Sequence, residues 1–120
     1  MNSYELIARQ WIEEIWARGN VSLIDEMHDE AYRHHTRTVD LPADADIEYI
    51  KRLASYFRRT VRGSHIQVED VLTEKDRVMI RWSVGGHDAD INVKTCSGIA
   101  LLTLRDYKIT DSWIFTDCKA

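Results

Sequence analysis

Apolar residues near the start of the chain fall at Tyr4, Ile7, Ala8, Trp11, Ile12, Ile15 and Trp16. This i, i+3/i+4 spacing lines one side of a helix. It predicts a helix from Ser3 to Arg18, with Ser3 as its N-cap and Gly19-Asn20 as its stop. A shorter helix from Ser22 to His28 buries Leu23, Ile24 and Met27, and Ala31 to Thr38 reads as an extended segment. The third helix runs from Asp44-Asp46 to Arg62 and buries Ile47, Ile50, Leu53, Ala54, Phe57 and Val61. Acidic residues open it, Arg58, Arg59 and Arg62 lie near its end, and Gly63 follows, as the helix dipole favours.

From His65 onward the period changes to two. Four runs, HIQVEDVL, RVMIRWSV, INVKTCSGIALLTL and KITDSWIFT, read as strands. Turns separate them at Glu74-Lys75-Asp76, at Gly85 to Asp90 and at Arg105 to Lys108. Helices followed by an antiparallel meander predict an α+β fold rather than a βαβ one. Each helix has one apolar face, so the sheet has to curl over the helices to close the core. With no repeat and no linker, the 120 residues are expected to form one domain, residues 1–120, around one core.

Composition narrows the function classes. A net charge of −4 without a basic block argues against nucleic acid as a partner. No apolar run approaches the roughly 20 residues that cross a bilayer. The opening MNSYELIARQ lacks the basic and apolar regions of a secretory signal, so a cytoplasmic location is expected. Cys96 and Cys118 are the only cysteines. Counting outward from a hairpin loop at Asp106 to Lys108 sets them opposite each other, where a cross-strand disulfide could form. Reduced, half-buried thiols are the expectation for a cytosolic chain.

The candidate chemistry begins with the last strand. Trp113, Phe115 and Asp117 alternate along it and share one face. A carboxylate walled in by aromatic rings loses hydration, which raises its pKa and suits it to general acid–base work. The other reading is a solvated Asp at a strand end, and Asp111, of the same parity, is expected near the turn in solvent. His34 and His35 are consecutive on an extended segment, so only one can face the interior, and Tyr32 shares the parity of His34. His87 follows Gly85-Gly86, where a bulge could re-aim it. No metal-ligand spacing, Gly-rich phosphate loop or Ser-centred elbow is present, so no metal and no cofactor are expected. Most of the tryptophans belong to the core. Trp11, Trp82 and Trp113, with Phe115 and Tyr32, are the candidate lining of a pocket for a flat apolar ligand.

Several segments together carry a resemblance. They are the aromatic first helix ending in RGN, then MHDEAYRHH, HIQVEDVLTEKDRVMIRWSVGGH, and DYKITDSWIFTD. In this order they resemble the SnoaL-like polyketide cyclase group of the nuclear transport factor 2-like superfamily. The resemblance implies a cone-shaped, curved mixed sheet wrapped around three N-terminal helices, a cystatin-like α+β barrel with a pocket at its wide end. It implies binding of a hydrophobic, carbonyl-bearing small molecule, with cofactor-free cyclase, isomerase or dehydratase chemistry. Homodimers through the outer sheet face are common among such proteins. On this reading Asp117 moves the proton, and His87 or His35 polarises the substrate oxygen. His35 is preferred to His34 because it aligns with the base of ketosteroid isomerase-type members. Those members carry their Tyr and their acid where this chain has Trp11 and Ala100, so steroid isomerisation by their route is not expected. The Pro-Thr-Gly segment of the cyclases is absent, and Tyr107 stands where their hairpin Gly is expected. The competing expectation is a non-catalytic ligand-binding or dimeric interaction module of the same fold.

Overall fold

The computed structural model describes residues 3–35, 46–60, 64–86 and 95–119. Helix α1 is α-helical over Ser3–Gln10 and continues as a π-helix over Trp11–Ala17. The spacing of apolar residues predicted uninterrupted α-helix there. The wider π turn brings residues five apart to one side, and Trp11 and Trp16 meet edge to face with ring centroids 5.5 Å apart. Trp11, Ile12, Ile15 and Trp16 are all buried by this arrangement. Gly19 ends the helix with φ 72°, and the Asn20 amide folds back onto the Glu14 carbonyl at 2.9 Å.

A 3₁₀ turn at Val21–Leu23 leads into the short helix α2, Ile24–Met27, and directly into strand β1, His28–His35. Helix α3 spans Ile47–Thr60. Its N-cap is Asp46, whose carboxylate accepts the Tyr49 amide N–H at 3.2 Å. Strands β2, Ser64–Glu74, β3, Arg77–Gly86, β4, Thr95–Arg105, and β5, Lys108–Lys119, follow as an antiparallel meander. The earlier strand β1 pairs parallel to β5, which gives a five-stranded mixed sheet in the order β1-β5-β4-β3-β2.

One sheet face carries Val78, Ile80, Trp82, Val84, Ala100, Leu102, Leu104 and Ile109, all buried against the helical residues Trp11, Ile12, Ile15, Ile50 and Ala54. Trp82 lies opposite Gly98 and covers it. The opposite face holds a register row that crosses every strand: Leu72, Met79, Leu101, Trp113 and His35. The backbones of Cys96 and Cys118 are register partners, as the count from the hairpin predicted. The loop itself is one residue tighter than that count assumed, because Arg105 pairs with Lys108.

The difference is made up by a bulge. Leu104 pairs with Ile109 and Thr103 with Asp111, so Thr110 is left over, and its hydroxyl donates to the Thr103 carbonyl at 3.2 Å. One extra residue exchanges the faces of everything after it. Ile109 faces the core, and so do Ser112 and Ile114, while Asp111, Trp113, Phe115 and Asp117 face outward. In the tight turn, Asp106 and Tyr107 both adopt left-handed φ values, 52° and 65°. That costs of order 1 kcal/mol per residue without glycine. Tyr107 offsets part of it with an edge contact to Tyr4, centroids 5.6 Å apart. Such a contact contributes about 0.5–1.5 kcal/mol beyond its buried area.

A methyl group at Gly98 would collide with the Trp82 ring and the Phe115 carbonyl oxygen. Gly98→Ala is therefore expected to lower stability by about 1–3 kcal/mol, read as the urea midpoint followed by tryptophan fluorescence. An unchanged midpoint would show that the Trp82–Gly98 approach is not a constraint.

Candidate functional site: a buried polar network between β1 and β5

Strand β1 turns three polar rings toward the helices. His28, Tyr32 and His34 are all buried. Their even spacing puts them on one face by regular alternation, while the irregular β1–β5 register between the pairs His28↔Ile109 and Arg33↔Asp111 sets which residues of β5 they meet. Beyond the irregularity, His34 stands opposite Ser112, which the Thr110 bulge has turned inward.

His28 belongs to a closed set of bonds. The Trp11 indole N–H can only donate, and it meets His28 Nε2 at 3.0 Å. Nε2 is therefore the acceptor, and the ring proton sits on Nδ1, which donates to the Ile24 carbonyl at 2.7 Å. Burial pushes the His28 pKa down to about 4, against smaller opposing effects of the Ile24 carbonyl and Asp25. Both nitrogens are used, so His28 supports the fold rather than a ligand.

The second set joins both strands. Ser112 Oγ lies 2.5 Å from the Tyr32 hydroxyl and 2.8 Å from His34 Nδ1, whereas Tyr32 and His34 stand 3.5 Å apart. Burial lowers the His34 pKa to about 4, and the neighbouring His35 and His28 add to the effect. Burial also pushes the Tyr32 phenol above its ordinary value, opposed by its bond to Ser112. The His34 ring stacks on Tyr49 of α3, with centroids 5.6 Å apart and planes 28° apart. His28 meets Tyr32 edge-on at 4.3 Å. The result is a set of neutral hydrogen-bonding groups in the same buried interior as Trp11, Ile24, Ile50 and Ile109, an environment in which a hydrogen bond to a ligand oxygen counts for more than in water.

The family model for SnoaL-like polyketide cyclases matches residues 6–120. The chain belongs to that family. No curated protein matches it. Among solved structures, this SnoaL-like protein is similar to one from Bacillus cereus called a polyketide cyclase, at 29% identity and TM-score 0.81, over 96% of this chain and 74% of that one. A second, from Acidithiobacillus ferrooxidans and also called a polyketide cyclase, shares 19% identity with TM-score 0.80, over 97% of this chain and 89% of that one. A third, from Jannaschia and called a SnoaL-like polyketide cyclase, shares 19% identity with TM-score 0.77, over 96% and 85% of the two chains. The α+β architecture of helices against a mixed five-stranded sheet is that of the nuclear transport factor 2-like superfamily. Among the described residues, no helix is long and apolar enough to cross a membrane.

The residues singled out in the sequence of the SnoaL-like protein divide between the two faces. Trp11, Tyr32 and Trp82 are on the inner side, as expected of an interior wall. Asp117 is not. It is exposed on the outer face, opposite Ser97, and so is not walled in by the aromatic rings on which its expected acid–base role rested. Phe115, 48% exposed, and the half-buried Trp113 share that outer face, so neither lines the interior. The three do share a face; the bulge makes it the wrong one. His35 also points outward. Its Nε2 contacts Asp111 Oδ1 at 3.0 Å, and its ring stacks on Trp113 with centroids 4.4 Å apart and planes 15° apart. The inward histidine is thus His34 and not the His35 that the resemblance favoured; its shared parity with Tyr32 was the signal that could have found it. Asp111 is half-buried rather than in open solvent because His35 covers it. His87 lies outside the described residues. Ser112 was missed, since its inward direction depends on a bulge that no local signal marks.

These two depressed imidazoles make stability depend on pH with a definite sign. Unfolded histidines bind protons near 6.5, whereas folded His28 and His34 resist until about 4. Across that window the unfolded chain holds more protons, so stability falls as acid is added and levels off above it. Between pH 7 and pH 5 the loss is expected to be about 2 kcal/mol per imidazole. Urea midpoints at the two pH values measure it, and His34→Gln is expected to remove about half of the slope. Equal midpoints would mean that neither ring is held neutral.

Proposed function

We propose that this SnoaL-like protein is a cofactor-independent catalyst acting on a hydrophobic, carbonyl-bearing small molecule, with chemistry of the cyclase, isomerase or dehydratase type. The observation that carries this reading is the bridging of Tyr32 and His34 by Ser112 in an otherwise apolar interior. A core that served packing alone gains little from three buried polar side chains, whose burial is costly unless every bond is made. His34 is the member that meets the substrate oxygen, and Asp117 has no part on this reading. The family membership and the solved structures called polyketide cyclases support the reaction class.

The test is exchange of the protons α to the carbonyl of β-tetralone and related bicyclic ketones, followed by proton NMR in deuterium oxide. The wild type is expected to accelerate exchange over buffer. His34→Ala is expected to lose about 10²–10³-fold of that rate, the usual effect of removing one donor from an oxyanion site. Exchange no faster than buffer with the whole set would remove the catalytic reading.

The outer face supports a second reading, compatible with the first, in which a second copy of the chain packs on the sheet. Leu72 is 67%, Phe115 48%, and Met79 and Ile99 each 38% exposed, and these side chains adjoin the half-buried Leu101 and Trp113. A contiguous apolar patch on a sheet face is a docking surface. Light scattering is expected to give a dimer for the wild type and a monomer for Met79→Lys/Phe115→Asp with an unchanged circular dichroism spectrum. A monomeric wild type would overturn this assembly.

A further inference from the structure

The hydrogen-bond directions in the Tyr32–Ser112–His34 chain follow from counting protons. The Tyr32 hydroxyl has one proton, and Ser112 Oγ at 2.5 Å is the acceptor within bonding distance, since His34 Nδ1 at 3.5 Å is too far for a good bond. Reversing the chain would leave a buried phenol proton without an acceptor, which is the costly outcome for a hydrogen-bonding group. Tyr32 therefore donates to Ser112. Were Ser112 Oγ to accept from Nδ1–H as well, its own buried proton would have no acceptor among the described residues; that proton therefore goes to His34 Nδ1 at 2.8 Å, Nδ1 is an acceptor and the ring proton sits on Nε2. Among the described residues, Nε2 has no hydrogen-bond partner, although His34 as a whole is only 2% exposed. The Tyr49 stack fixes the plane of the ring and hence the direction in which that N–H points. His28 holds the opposite tautomer, with both nitrogens occupied, in the same interior.

We propose that His34 is a hydrogen-bond donor and not a base: the Tyr32–Ser112 chain locks its imidazole in the Nε2–H form, and that proton is offered to the oxygen of a bound carbonyl compound. The inference rests on the catalytic reading above and gives that site its polarity. A neutral imidazole is a weak acid, so it can share its proton, without giving it up, with the enolate oxygen that develops as a solvent base, hydroxide or buffer anion, takes the α proton and water returns one to the same carbon. Tyr32 keeps its own proton, because burial disfavours the phenolate. The chain therefore orients the ring and is not a route for proton delivery. Ser112 and Tyr32 are positioning residues, since they act on substrate only through His34.

Two measurements test this. Nitrogen-15 NMR of the imidazoles in the whole protein is expected to give His34 as the Nε2–H form and His28 as the Nδ1–H form, both unchanged between pH 8 and pH 5.5. Ser112→Ala, or Tyr32→Phe should the first variant fold poorly, is expected to mix the His34 tautomers while leaving His28 as it was. In the β-tetralone exchange assay, His34→Gln sets an amide N–H close to the place of Nε2–H. It is expected to keep the rate within about tenfold of wild type, while His34→Ala loses about 10²–10³-fold. A His34 in the Nδ1–H form, a His34 that titrates between pH 5.5 and pH 7.5, or a Gln variant as slow as the Ala variant would each overturn the donor role. If wild type fails to catalyse exchange, the reading on which the donor role rests falls with it, while the spectrum still decides the tautomer.

Discussion

Thr110, the one residue of β5 without a partner on β4, governs which chemistry meets the helices. Side chains alternate along a strand, so a single inserted residue exchanges the two faces for all that follow. The exchange takes a hydroxyl inward at Ser112 and sends Asp111, Trp113, Phe115 and Asp117 to the outside. Taken alone, a buried serine hydroxyl is a liability. It is tolerated because the irregular pairing of β1 brings Tyr32 and His34 to the same point. The two irregularities need each other: without the bulge the rings would lack their bridge, and without the rings Ser112 would be unsatisfied.

Neutrality is what makes such a network affordable inside an apolar core. An ionised group at this depth would need a counter-charge. Here Trp11, Tyr32 and Ser112 supply neutral donors, and the imidazoles answer by staying unprotonated. Two histidines of similar burial are thereby given different work. His28 is bonded through both nitrogens and ties α1 and α2 to β1, while His34 is bonded through one.

The two faces of the sheet communicate across one strand thickness. His34 and His35 are chain neighbours facing opposite ways, and so are Ser112 and Asp111. The outer pair, His35 with Asp111, clasps β1 to β5 where the backbone pairing has only just recovered its register. It also acts electrically on the inner network, since His35 contributes to holding His34 unprotonated and Asp111 to holding Tyr32 protonated.

Much of the architecture was legible in the sequence. The stripe from Tyr4 to Trp16, the stripe from Ile47 onward and the period of two after His65 gave the helices, the strands and the α+β class, because burial of one face imposes a spacing that any reader can count. Even the pairing of Cys96 with Cys118 came out, since the tighter turn and the extra Thr110 offset each other. The site did not follow from the same counting. Its residues are Tyr32, His34 and Ser112, and whether Ser112 or Asp117 looks inward depends on a bulge stabilised by a hydrogen bond between neighbouring strands. Residue spacing fixes which side chains lie together on a face. Which face then meets the helices, and so which polar groups are desolvated, is decided by strand pairing between distant parts of the chain, and that exists only in the folded protein.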